Sequence, residues 1–173
     1  MPRGTNFLLI RHAEKPDDQN DLGLSVPGQA RAMAYVVYFQ NYKINSNPVK
    51  LGHLFATAQS ARSNRPYLTI EPLARQLGLQ INNWYENRAE DIEALANYLL
   101  TDPTFNDANV LICWHHQELL HLAQALGAQK HTLPTDWPEE TFGWLIEICF
   151  DGAGNLASSR VIEEKLMYTD CKR

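Results

Sequence analysis

The stretch Phe7-Leu8-Leu9-Ile10-Arg11-His12-Ala13-Glu14-Lys15-Pro16, FLLIRHAEKP, decides how the rest of the chain is read. Its first four residues form an unbroken apolar run, the pattern of a strand buried on both faces, and the run stops at an Arg-His pair. In open α/β sheets ligands sit beyond the carboxyl ends of the strands, so a cationic pair placed there predicts a site for an anion.

The run Asn109-Val110-Leu111-Ile112-Cys113-Trp114 repeats the design and ends at His115-His116. Two strands from distant parts of the chain thus each deliver histidine at a carboxyl end, the arrangement of a composite site. Between them, His53 to Thr57 predicts a further short strand, followed by a polar run from Gln59 to Pro66. Pro66 suits the first turn of a helix running to Leu77-Gly78, because its missing N–H costs nothing there. Arg65 then sits beside free amide donors and the positive end of a helix dipole. Arg62, in the same run, is a second candidate for the same anion.

Outward from these strands, the polar residues Pro16 to Asp21 predict a loop at the mouth of the site. Ser25 reads as the N-cap of a helix to about Asn41, with Ala30, Met33, Ala34, Val37 and Tyr38 at helical spacing. Asn45-Ser46-Asn47-Pro48 breaks that pattern. Gln80 to Tyr85 is weakly strand-like, Glu90 to Leu100 predicts an amphipathic helix, and Glu118 to Leu126 a helix closing at Gly127. Thr141 to Phe150 and Leu156 to Glu163 read as strands paired antiparallel across the turn Asp151 to Asn155. The expectation is one domain over residues 1–173, a three-layer α/β/α fold whose central, mainly parallel mixed sheet has an antiparallel edge.

A net charge of −5 gives no chain-wide basic footprint, which argues against nucleic acid as a general partner while leaving room for a local positive pocket. Cys113, Cys149 and Cys171 are an odd, widely spaced set, and the first two lie in apolar runs, as small buried hydrophobes do. The first apolar run is too short for a signal peptide, nothing approaches a membrane span, and Asp170 to Arg173 carry no recognisable anchor. These features predict a reduced, cytoplasmic setting without membrane contact.

The segments IRHAEKP, LSVPGQARA, SNRPYLTIEPLARQLGL and VLICWHHQELLHLAQALG, in this order, resemble the histidine phosphatase superfamily with its phosphoglycerate-mutase-like fold, in its small phosphatase branch. The resemblance implies a metal-independent phosphomonoester hydrolase without cofactor, acting on a small phosphorylated substrate or a phosphoprotein. It implies His12 as the nucleophile that becomes phosphohistidine, with Arg11 and Arg65 clamping the phosphate and a strand-end histidine steadying the transferring oxygens. Counting from the strand favours His115 for that last part; counting back from Gln124-Ala125-Leu126-Gly127, and the Trp-x-His ending of some relatives, favour His116, which is preferred. His115 then lines the rim or packs structurally. The chain departs from the family pattern at Ala13, where the best-known mutases have glycine, at Gln117-Glu118, and at Ser60-Ala61-Arg62, which keeps Arg62 as an alternate clamp. Glu86 is the first candidate for the general acid, with Glu14 and Asp136 behind it, since that role needs a raised pKa in a sheltered pocket.

Two other classes compete. A phosphate-binding regulatory module would keep the pocket without efficient turnover, and a mutase would need a cap for which the chain has little sequence to spare. A metal site built from His53, His115, His116, His121 and Cys113 is disfavoured, because no HExxH or CxxC spacing exists and His116 and His121 do not share a helical face.

Overall fold

A computed structural model of the chain describes residues 1–18 and 20–171. Gln19 in the expected mouth loop, and Lys172 and Arg173 of the tail expected to carry no anchor, lie outside the described residues. The elements run in the order β1 (Asn6–Arg11), α1 (Val26–Gln40), β2 (Lys43–Ile44), β3 (Asn47–Pro48), β4 (His53–Ala56), α2 (Arg65–Leu77), β5 (Ile81–Asn82), α3 (Ala89–Thr101), β6 (Asn109–Trp114), α4 (His116–Ala125), β7 (Trp144–Phe150) and β8 (Leu156–Glu163). Six strands form one sheet in the order β5-β4-β6-β1-β7-β8. The first four of these are parallel, and β7 and β8 pair antiparallel beside β1.

Strand alternation explains the layers. Phe7 and Leu9 of β1 pack with Ile92, Leu95 and Leu99 of α3 and with Leu119 and Leu122 of α4. Leu8 and Ile10 point the other way, into Tyr35 and Phe39 of α1 and Ile70 and Leu73 of α2. All four β1 side chains are fully buried, so the apolar run FLLI reports a strand covered on both faces. The expected three-layer α/β/α fold is therefore observed, with β1 and β6 as neighbours in register Ile10 to Cys113 and Arg11 to Trp114. That register brings the Arg-His and His-His pairs to one end of the sheet.

Local differences from the sequence reading have local causes. The break at Asn45-Ser46 is a tight hairpin between β2 and β3, both residues having positive φ (49° and 68°) as a two-residue mirror-image turn requires. Strand β7 begins at Trp144, not Thr141, because the Thr141 carbonyl accepts from Arg11 and from Trp137 Nε1. Helix α4 starts at His116, with His115 at its N-cap, two residues earlier than the apolar spacing indicated. Ser25 caps α1 as expected, its Oγ accepting from the Gly28 amide at 3.2 Å. Gly28 has no alternative: a Cβ there would lie 2.4 Å from the Glu14 carbonyl, so only glycine lets α1 approach the segment after His12.

Candidate active site

The loop after β1 turns the His12 ring inward, where the residue is only 4% exposed. Its backbone amide still donates to the Trp114 carbonyl (3.0 Å), so His12 continues the ladder between β1 and β6 for one more residue. The ring Nδ1 lies 2.7 Å from the carbonyl of Ala13. A carbonyl only accepts, so Nδ1 carries the proton and Nε2 keeps a free lone pair. Burial pushes the imidazole pKa well below 6.5, and His115, Arg11 and Arg65 push the same way against the Ala13 bond. His12 is therefore a neutral imidazole of fixed tautomer near pH 7. The Ala13 amide is itself held by Thr69 Oγ1 (2.8 Å), whose hydroxyl donates to the Arg65 carbonyl (2.8 Å), so the His12 loop and the start of α2 are one unit.

His115 is the histidine that meets His12. The two rings lie 5.1 Å apart, edge to face at 71°. Between the two expected candidates, it is thus His115, and not the preferred His116, whose ring packs on His12. As the N-cap, His115 still follows the strand, whereas His116 is the first residue of α4 and its ring falls on the Arg11, Glu139 and Lys15 side of the pocket. His116 Nδ1 is buried without a hydrogen-bond partner. Burial, with neighbouring cations, lowers both histidines to about 4, so each is neutral at pH 7.

The two expected arginines are both present, in different states. Arg11, 1% exposed, donates from Nη1 to the carbonyls of Thr141 (3.0 Å), Pro138 (3.4 Å) and Glu139, and its guanidinium stacks 3.9 Å above the Phe142 ring. Its Nε is buried and unpartnered. Burial lowers its pKa to about 10, which leaves it charged at pH 7. Arg65, at the first position of α2, donates to the Asp21 carbonyl (3.1 Å) and the Arg62 carbonyl (3.4 Å) and also leaves Nε buried and unpartnered. Its charge acts on His12 and His115 alike. Two cations with unused donors thus stand near a neutral imidazole, an arrangement that suits an oxyanion, whereas the first turn of α2 adds little, its Arg65 amide donating to Ser63 Oγ and Pro66 having none.

Arg62 does not join them; its side chain is exposed on the Ser60–Ser63 turn, where its amide donates to Ser60 Oγ. Glu86 follows β5 beyond the carboxyl edge as expected, but its side chain is 61% exposed and paired loosely with Arg88. A general acid works from a sheltered pocket, and the Glu86 side chain stands in solvent. Asp136 is exposed, and Glu14 is bound bidentate by Arg31, so neither replaces it. Lys15 pairs with Glu139 at 2.7 Å across the mouth, both side chains at least half exposed. Phe142 and the carbonyls of Pro138 to Thr141 were not among the sequence candidates, since no motif marks them. Among the described residues no group of three or more His, Cys, Asp or Glu is disposed to hold a metal ion, and no helix is long and apolar enough to cross a membrane.

No protein-family model matches the chain, and no curated protein sequence matches it either. Solved structures do. The protein histidine phosphatase SixA complexed with tungstate is 16% identical, with a TM-score of 0.55 over 90% of this chain and 96% of that one. The mycobacterial glucosyl-3-phosphoglycerate phosphatase Rv2419c with inorganic phosphate is 14% identical, TM-score 0.55, over 91% and 95% of the two chains. Phosphoglycerate mutase from Bacillus anthracis is 10% identical, TM-score 0.57, over 98% and 97%. The chain has the fold of the histidine phosphatase superfamily, the phosphoglycerate-mutase-like fold expected from its motifs.

Proposed function

We propose that this protein is a phosphomonoester hydrolase acting through a phosphohistidine at His12 and needing no metal. The observation that carries the reading is the His12 Nδ1–H bond to the Ala13 carbonyl, which leaves a neutral Nε2 lone pair inside a pocket edged by Arg11 and Arg65. Mere phosphate binding would be served by a protonated imidazole, whereas an in-line attack requires this unprotonated nitrogen.

In the first step the Nε2 pair forms the P–N bond as the bond from phosphorus to the leaving oxygen breaks. Arg11 and Arg65 hold the equatorial oxygens, and His115 donates to them from its N–H. The leaving oxygen takes its proton from water, since none of the candidate carboxylates is both sheltered and free, and this favours phosphates of acidic alcohols over those of simple alkanols. Water then attacks phosphorus, the P–N bond breaks, its electron pair returns to Nε2, and phosphate departs. The reading covers a small phosphorylated metabolite and a phosphoprotein alike. Hydrolysis is favoured over mutase chemistry because the residues between α2 and β6 are taken up by β5 and α3, with little chain left for a cap.

The test is hydrolysis of p-nitrophenyl phosphate by purified protein, with His12→Ala as control, together with trapping of the phosphoenzyme and the acid stability of the adduct. Activity abolished by His12→Ala, with an acid-labile adduct on His12, is expected. An adduct elsewhere, or equal rates for the two proteins, would overturn the reading.

A further inference from the structure

Behind the His12 loop lies a buried ion triad that the proposed reaction does not use. Arg31 of α1 is fully buried. Its Nε and Nη2 donate to both carboxylate oxygens of Glu14 (2.7–3.0 Å), and its Nη1 and Nη2 donate to Asp170 Oδ2 and Oδ1 (3.0 and 2.7 Å). Asp170 lies in a short 3₁₀ turn, Tyr168–Cys171, at the other end of the sequence. Its Oδ2 also accepts from the amides of Leu166 and Met167, at 3.1 and 3.0 Å. Burial raises the Asp170 pKa, but the Arg31 and amide bonds outweigh it and hold the carboxyl below its ordinary value. The approach is close enough that a Cβ on Gly143 would sit 2.6 Å from the Asp170 carboxyl carbon, so glycine there is part of the same device.

We infer that Asp170 is a positioning residue for His12, acting through Arg31 and Glu14. The route is covalent at its last link. The acceptor that fixes the His12 tautomer is the carbonyl of Ala13, and that carbonyl belongs to the peptide joining Ala13 to Glu14. Glu14 is pinned at both ends, its own carbonyl accepting from the Ser25 amide (3.0 Å) and Oγ (3.2 Å), and its carboxylate gripped by Arg31. Arg31 can grip it in one orientation because Asp170 takes the remaining side of the guanidinium fork. Without Asp170, half of a buried fork has no acceptor, and Arg31 must turn toward one. Glu14 follows, the Ala13–Glu14 peptide loses its set angle, and His12 can then place its proton on either nitrogen.

This rests on His12 being the nucleophile, so the experiment reads its tautomer directly as well as turnover. Asp170→Ala and Asp170→Asn are compared with wild type by ring ¹⁵N NMR of His12 and by kcat and KM for p-nitrophenyl phosphate. Wild type is expected to hold the Nδ1–H form. Asp170→Ala is expected to mix the tautomers and lower kcat roughly 10- to 100-fold, the usual effect of losing a residue that orients a reacting group, with KM changed less than about twofold. Asp170→Asn keeps one acceptor oxygen for Arg31 and should fall between the two. If Asp170→Ala does not fold, Asp170→Asn carries the test on the same two measures. An unchanged His12 tautomer in the folded variant overturns the inference, as does a rise in KM at constant kcat. Should wild type hydrolyse no phosphate ester, the tautomer comparison still decides the positioning role.

Discussion

Replacing His115 and His116 one at a time separates two adjacent residues that the sequence could not. His115 presents its ring 5.1 Å from that of His12, and burial lowers its pKa to about 4, so in the proposed mechanism it would act as a neutral N–H donor and not as an imidazolium. Removing one preorganised donor to a developing oxyanion costs about 10²–10³ in kcat, or roughly 3–4 kcal/mol. His115→Ala should therefore lose that much, while His116→Ala, whose ring falls on the Arg11, Glu139 and Lys15 side, should stay within about threefold, under ~1 kcal/mol. His115→Gln adds a finer check: an amide N–H is also a neutral donor, so it should retain roughly tenfold more activity than His115→Ala, whereas a role as proton donor would leave the two alike. The assay is steady-state hydrolysis of p-nitrophenyl phosphate at pH 7, with circular dichroism to confirm folding. A loss in His116→Ala equal to or larger than that in His115→Ala refutes the assignment.

Glu86→Gln should change kcat less than about twofold at pH 7 on aryl and alkyl phosphates alike, because its side chain stands in solvent, paired with Arg88; a selective loss on the alkyl ester would restore Glu86 to the role of general acid. Arg65→Ala removes a charged donor from the anion site and should lower kcat/KM by roughly 10- to 100-fold, the equivalent of one charge-assisted hydrogen bond, while Arg62→Ala stays within about twofold. Equal losses in the two arginine variants, measured side by side, would return Arg62 to the clamp.

The sheet and the rough site were legible for a physical reason: apolar runs such as FLLI and VLICW can be buried on both sides only in the middle of an α/β sandwich, and the residues just beyond the carboxyl end of such a strand stand at the ligand edge. Arg65 was legible because Pro66 fixes where a helix begins. The choice between His115 and His116 was not, since the boundary between strand and helix falls between them and each helical residue turns the next side chain by about 100°. Exposure is also invisible in sequence, which is why Glu86 reads as an acid until its side chain is found in solvent. The contacts of Arg11 with Pro138 to Thr141 and of Arg31 with Asp170 join residues well over a hundred positions apart, with no local pattern linking the partners.

The buried groups around the site also set how stability must vary with pH. His115 has an ordinary value of 6.5 when unfolded and about 4 when folded, and His12 is lowered too, so below pH 6.5 the unfolded chain binds more protons than the folded one. Stability therefore falls as pH drops from 6.5 towards 4, by about 3 kcal/mol at most for His115. Glu164 acts in the opposite sense. It lies buried beneath α1, accepts from the Tyr35 hydroxyl at 2.9 Å, and burial raises its pKa from 4.5 to about 8. The folded chain holds that proton longer, so the stabilising contribution is complete below pH 4.5 and is lost as pH rises through 8, with an upper bound on the order of 5 kcal/mol. His116 is lowered to about 4 in the same way, so with three histidines set against one carboxyl the protein should be most stable just below pH 7, at roughly 6.5–7. Glu164→Gln keeps the shape and the acceptor for Tyr35 but cannot ionise, so urea denaturation across pH 5–9 should lose its alkaline decline and keep the acid one. If the alkaline decline survives in Glu164→Gln, another group carries it and Glu164 is already ionised in the native state.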